Sequence, residues 1–140
     1  MAKYHFGSRS TSKLSQINED LADVCKLAIS RSPIDFTVVE GKRTVERQKE
    51  LYAQGRTAPG KIVTWTMKSK HIDGKAVDLA PCDEKGNILW NDRVGFKVIS
   101  DLMFEAAKEL GVKIRWGADW NQNGRPFEKG EFDSPHFELV

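Results

Sequence analysis

Ser69-Lys70-His71-Ile72-Asp73-Gly74-Lys75-Ala76-Val77-Asp78-Leu79-Ala80-Pro81 puts a histidine, a glycine turn and an alternating segment into one short run. Successive side chains of a strand point to opposite faces, so Asp78 shares a face with Ala76 and Ala80, while Val77 and Leu79 face the other way. Near the C-terminus, Asp133-Ser134-Pro135-His136-Phe137-Glu138-Leu139 repeats the arrangement, with His136 and Glu138 on one face and Phe137 and Leu139 on the other. If the two strands are neighbours with their apolar sides inward, Asp78 and His136 emerge on the same open face. His71, ahead of the Gly74 turn, can then fold back to join them, and the small Ala76 and Ala80 leave room beside the group. Two imidazoles and one carboxylate are the ligand types of a catalytic zinc with an open position. Taken singly, His71 reads as a solvated loop residue, Asp78 as a turn carboxylate and His136 as a capped core histidine; taken together, the pattern leaves both readings open.

The flanking elements define a small α+β fold. Residues 1–12 read as a polar arm. From Lys13 to Ser30, the positions Leu14, Ile17, Leu21, Val24, Cys25 and Ala28 follow helical spacing, and Ser32-Pro33 ends that helix. Phe36 to Glu40 is a short β-rich strand closed by Gly41. Thr44 caps a second helix running through Glu46, Gln48, Leu51 and Tyr52 to a stop at Gly55. Arg56 to Lys70 reads as a loop, Lys75 to Ala80 as a strand, and Asn87 to Trp90 as a further candidate strand. Asn91 or Asp92 starts a third helix with the stripe Val94, Val98, Leu102, Ala106 and Leu110, and Gly111 ends it. Val112 to Trp116 and His136 to Val140 complete a small antiparallel sheet with flanking helices, separated by a loop-rich stretch from Gly117 to Phe132.

Composition narrows the class. A chain of 140 residues with 39% hydrophobic and 30% charged residues has the size and balance expected of one globular domain spanning residues 1–140. A net charge of +2 gives no electrostatic case for nucleic acid, and none is expected as a partner. A mildly basic surface is compatible with an anionic polymer, the cell wall included. The first residues lack the apolar run of a signal peptide and no window approaches a membrane span, so synthesis in the cytoplasm without membrane insertion is expected. Cys25 lies on an apolar helix face and reads as a buried structural thiol. Cys82, four residues after Asp78, is either a ligand or a loop thiol.

Two further groups carry chemistry. Asp133 lies three residues before His136 and would face away on a regular strand. Ser134-Pro135 can turn it toward a metal-bound water as a proton acceptor, or Asp133 is a turn-forming residue. Arg43, where a strand enters a helix, either stabilises a developing oxyanion or binds a carboxylate, or is a surface arginine. Asp119-x-Asn121-x-Asn123-Gly124 has the oxygen ligands at alternate positions of half a calcium loop. Gly130 occupies the twelfth position where that motif has glutamate, so a plain polar turn is the other reading.

Ser69-x-His71-x-x-Gly74-x-Ala76-x-Asp78 followed by Asp133-x-x-His136 resembles the zinc signature of the VanY/VanX-like D-alanyl-D-alanine carboxypeptidase family. Within it, the chain looks most like the small phage endolysins that are L-alanyl-D-glutamate endopeptidases. The likeness takes in Ser32–Val39, the Gly-x-Arg-Thr at Gly41–Thr44, the segment Gly117–Asn121 and the terminal Glu138-Leu139-Val140, nearly the whole chain. It implies a Hedgehog/DD-peptidase-like fold, zinc on His71, Asp78 and His136, and Asp133 as general base and acid where many members have Glu. It also implies Arg43 at the oxyanion or substrate, Ser69 in contact with substrate, and Gln48 supporting the site. The implied substrate is bacterial peptidoglycan, cut by a monomer made in the host cytoplasm and delivered to the wall through another factor. A D-alanyl-D-alanine carboxypeptidase or dipeptidase is the nearest alternative, and a non-catalytic wall-binding module a more distant one.

Overall fold

Among the described residues, four short strands, β1 (Phe36–Glu40), β2 (Ala76–Pro81), β3 (Ile114–Trp116) and β4 (His136–Leu139), form one sheet in the order β1-β2-β4-β3. Every neighbouring pair is antiparallel, as the sequence leads one to expect. The computed structural model describes residues 3–60, 70–119, 122, 126 and 133–140. The helices among these residues are α1 (Ser8–Leu14), α2 (Glu19–Ser30), α3 (Val45–Ala53) and α4 (Arg93–Leu110). The core lies between the sheet and the helices. Val77, Leu79 and Phe137 from the central strands meet Leu21, Val24 and Ala28 of α2 and Phe96, Ile99 and Met103 of α4, all buried. Burying such a side chain contributes about 1.5–3 kcal/mol over leaving it in water, so this one face supplies much of the driving force that holds β2 and β4 side by side.

Three expectations need correction. The helix expected over Lys13 to Ser30 is two helices. Asn18 caps α2 by accepting from the N–H groups of Asp20 and Leu21, and its own N–H donates to the Gly74 carbonyl at 2.8 Å. A residue that satisfies exposed amides in this way starts a helix rather than continuing one. The expected polar arm therefore contains α1, which packs on β1.

The apolar stripe expected on the third helix is displaced. Val94 and Leu110 are 76% and 45% exposed, while Phe96, Ile99, Met103, Ala106 and Ala107 are buried. Positions spaced strictly by four rotate about 40° per step around a helix, so such a stripe spirals off the contact, which follows alternating steps of three and four. Both ends of α4 are as expected: Asp92 accepts from Gly95 N–H, and Gly111 is left-handed at φ 71°.

Asn87 to Trp90 is not a strand. Ile88 makes an isolated bridge with Cys82, and the Asp83 carboxylate accepts from the backbone N–H groups of Lys85 and Asn87, curling the chain into a turn.

Candidate functional site

Asp78 and His136 are direct cross-strand partners in the β2–β4 ladder, which puts their side chains on one face. That face is less open than the alternation implies. Ala76 and Ala80 are buried, and the side chains of Asp78 and His136 are 17% and 9% exposed. His71 reaches them because Gly74 turns the chain back at φ 70°. The His71 carbonyl accepts from the N–H groups of Arg43 (2.9 Å) and Gly74 (3.2 Å), fixing the turn to the start of α3. A side chain at Gly74 would be strained by that φ and would press on the Gln16–Asn18 link.

The hydrogen bonds of the two imidazoles decide what the site can hold. His71 Nδ1 lies 2.8 Å from the Gly41 carbonyl, which can only accept, so this nitrogen carries the proton. His136 Nε2 lies 2.8 Å from Glu138 Oε1, again an acceptor, so it too carries a proton. In the neutral rings, His71 Nε2 and His136 Nδ1 therefore present lone pairs. Both face the same oxygen, Asp78 Oδ1, at 3.1 and 3.3 Å. Three lone-pair atoms pointing at one another repel unless positive charge sits among them, carried by protons or by a cation. Among the described residues His71, Asp78 and His136 form a group whose ligand atoms lie within 4.8 Å of one another, suited to one metal ion.

With protons as the only source of charge, the group shows the expected distortions. Burial disfavours the Asp78 anion, yet the bonds from His136 and His71 hold its carboxyl well below the usual range. Burial likewise disfavours charge on His136, but Asp78 and Glu138 outweigh it and push the imidazole up to about 9. Glu138, 6% exposed, is held at about 2: burial opposes its charge, and His136, Arg115 and Lys70 overcome it. Its carboxylate lies 2.8 Å from Arg115 and 3.0 Å from Lys70. A carboxylate behind a histidine fixes its tautomer and raises its basicity as a ligand.

Asp133 turns inward as required. Its Oδ2 is 3.9 Å from His136 Nδ1 and half its side-chain surface remains exposed. The turn is pinned by three carbonyls: Asp133 accepts from His136 N–H (3.1 Å), Ser134 from the Trp116 indole (2.6 Å) and Pro135 from Leu79 N–H (2.9 Å). Gly117 closes the approach, since a Cβ there would lie 2.2 Å from the Asp133 carbonyl oxygen. Partial burial raises the Asp133 pKa, with the Asp78 charge adding to it, against the pull of His136, His71 and Arg43.

Arg43 is no surface residue. Its side chain is 9% exposed and its guanidinium is held by Glu40 and by the buried Gln48. Gln48 Oε1 thus ties α3 to Arg43 by accepting from its Nη1 at 2.7 Å. Burial works against the Arg43 charge, but the bond to Glu40 outweighs it and raises the pKa further. Ser69, Asn121 and Asn123 lie outside the described residues. Asp119 sits in a tight turn, its N–H donating to Trp116 and its carbonyl accepting from Gln122.

Cys82 is a loop thiol. It is absent from the ligand group, and burial together with the Asp35 charge pushes it up to about 11. Cys25 is buried and is pushed up to about 12 by that burial, a structural thiol as expected. Glu138 and Glu40, bonded to His136 and Arg43, are not among the residues the sequence singles out. For Glu138 the signal was present, because it shares a strand face with His136 two positions away.

The whole chain is similar to known peptidases. Residues 2–140 match the family model of the phage L-alanyl-D-glutamate peptidases. The L-alanyl-D-glutamate peptidase of Escherichia phage T5 is 39% identical over 140 residues, covering 98% of both chains. The peptidoglycan L-alanyl-D-glutamate endopeptidase CwlK of Bacillus subtilis (strain 168) is 35% identical over 136 residues, covering 92% of this chain and 75% of that protein. The crystal structure of the Serratia marcescens L-Ala D-Glu endopeptidase ChiX superposes with a TM-score of 0.78 at 29% identity, covering 99% of this chain and 92% of that one.

Proposed function

The chain belongs to the phage L-alanyl-D-glutamate peptidase family, and on that premise we propose that it is an endolysin hydrolysing the L-alanyl-D-glutamate bond of the peptidoglycan stem peptide, with zinc held by His71, Asp78 and His136. One observation carries the reading: lone-pair atoms of two buried histidines and the half-buried Asp78 converge on one point, with the Asp133 carboxylate beside it. Two neutral imidazoles and a carboxylate fit zinc and leave a coordination position for a small molecule.

When bound, zinc supplies Lewis acidity toward the scissile carbonyl and lowers the pKa of a water to about 7. The protein's own groups account for the rest. Asp133 takes a proton from the attacking water and returns it to the departing D-Glu amine as the C–N bond breaks, leaving a carboxylate on L-Ala. A carboxyl with a raised pKa suits a group that must both accept and release a proton near neutral pH. Arg43, gripped by Glu40 and Gln48, offers N–H donors to the oxygen that gains charge. Glu138 and the Gly41 carbonyl keep both histidines in the tautomer that faces a metal.

Digestion of purified sacculi followed by mass spectrometry tests the bond. Fragments with a new N-terminal D-Glu are expected, whereas free D-Ala alone would mean a carboxypeptidase. Among the described residues no helix is long and apolar enough to cross a membrane.

Glu138 has a separable role. Glu138→Ala is expected to weaken zinc binding about 10- to 100-fold, read by competition against a chromogenic chelator. Unchanged affinity would show that the contact with His136 does not tune the ligand.

A further inference from the structure

The edge strand β1 holds a feature that the reaction as described does not use. Its pairing with β2 runs regularly from Phe36 opposite Pro81 to Val38 opposite Leu79, and then Glu40, not Val39, stands opposite Asp78. Val39 is the extra residue of a β-bulge. In an unbroken register Val39 would occupy the place beside Asp78, and Glu40 would turn to the other face. The bulge therefore exchanges a valine for a carboxylate on the face of the site.

That carboxylate takes hold of one group. Glu40 Oε1 accepts from Arg43 Nε at 2.8 Å and Oε2 from Arg43 Nη2 at 2.6 Å, a bidentate pair, while Gln48 Oε1 accepts from Nη1 at 2.7 Å. Three of the five N–H groups of Arg43 are thereby fixed in direction. Bidentate arginine–carboxylate pairs fix orientation as well as adding energy. Arg43 also feels the charges of Asp78 and Asp133. Without a counter-charge of its own, the guanidinium would be drawn onto one of these carboxylates, occupying either a metal ligand or the proton acceptor.

We propose that Glu40, aimed by the bulge at Val39, is a positioning residue for Arg43, holding the guanidinium on the oxyanion side of the site and off Asp78 and Asp133. The inference rests on the role given to Arg43 above. Its test is a double-mutant cycle in zinc-loaded protein, with kcat and KM measured separately on a soluble stem peptide and zinc content measured in each variant. Glu40→Ala is expected to lower kcat about 10- to 100-fold, the scale of a misplaced catalytic group, with KM nearly unchanged and zinc retained. In an Arg43→Ala background the same substitution is expected to add nothing. Glu40→Gln, which keeps the shape and one acceptor, should fall between Glu40→Ala and the wild type, and it serves in the cycle if Glu40→Ala does not fold.

An equal loss in both backgrounds, or a loss of zinc, would make Glu40 structural and overturn the inference. Wild-type kcat in Glu40→Ala with a slow Arg43→Ala would overturn the inference and leave the role of Arg43 intact. Wild-type kcat in Arg43→Ala would overturn both.

Discussion

Asp133→Asn is expected to bind zinc as the wild type does while kcat falls by about 10²- to 10⁴-fold, the range associated with loss of a general acid–base group. The substitution keeps the side chain's size and leaves the turn intact, since the turn depends on the carbonyls of Asp133, Ser134 and Pro135 and on the absence of a side chain at Gly117. What it removes is a basic oxygen 3.9 Å from His136 Nδ1. An amide cannot take a proton from water near neutral pH, so the attacking water is not activated and the leaving amine is not protonated. The readouts are kcat on a stem peptide and zinc content by elemental analysis. Digestion of purified peptidoglycan at the wild-type rate by Asp133→Asn or Asp133→Ala would take this carboxylate out of the reaction.

Removing a ligand should act one step earlier. His71→Ala is expected to lose zinc at concentrations that saturate the wild type and to show no measurable turnover, because two remaining ligands are too few for a catalytic site. Stability provides a second readout. A metal that binds only the folded state stabilises it by about 2.7 kcal/mol at a hundred times its Kd, so zinc should raise the Tm of the wild type and a chelator should lower it. Neither addition should move the Tm of His71→Ala. The same shift with zinc in the variant and the wild type would place the metal elsewhere. Because His71 is 2% exposed and bonded to the Gly41 carbonyl, His71→Gln is the companion variant. It can still donate to that carbonyl and should separate loss of metal from loss of folding.

Much of this site was legible in the residues for one reason: strand alternation has a period of two and tolerates no drift over a few positions. Asp78 among alanines and His136 beside Phe137 had to share a face once the apolar sides were turned inward, and the register Asp78 opposite His136 realises it. Gly74 announced the turn that returns His71. Helical spacing was less secure. A stripe of residues four apart drifts, so α4 buries Phe96 and Ile99 rather than Val94, and the run from Lys13 to Ser30 concealed the cap at Asn18.

By itself, then, the sequence determined the α+β class, the ends of α3 and α4, the two strands that carry Asp78 and His136 and residue types able to bind zinc, because these depend on local periodicity, capping and chemistry. Tertiary structure alone decided how His71, Asp78, Asp133 and Arg43 are held and aimed. The tautomer of His71 depends on a carbonyl thirty residues away, at Gly41. The inward turn of Asp133 depends on the bare backbone of Gly117, and the grip on Arg43 depends on a bulge that shifts the register of β1 by one residue. Each is a contact between segments distant in the chain. Close packing and strand register set such contacts, and neither is encoded in any short window of residues.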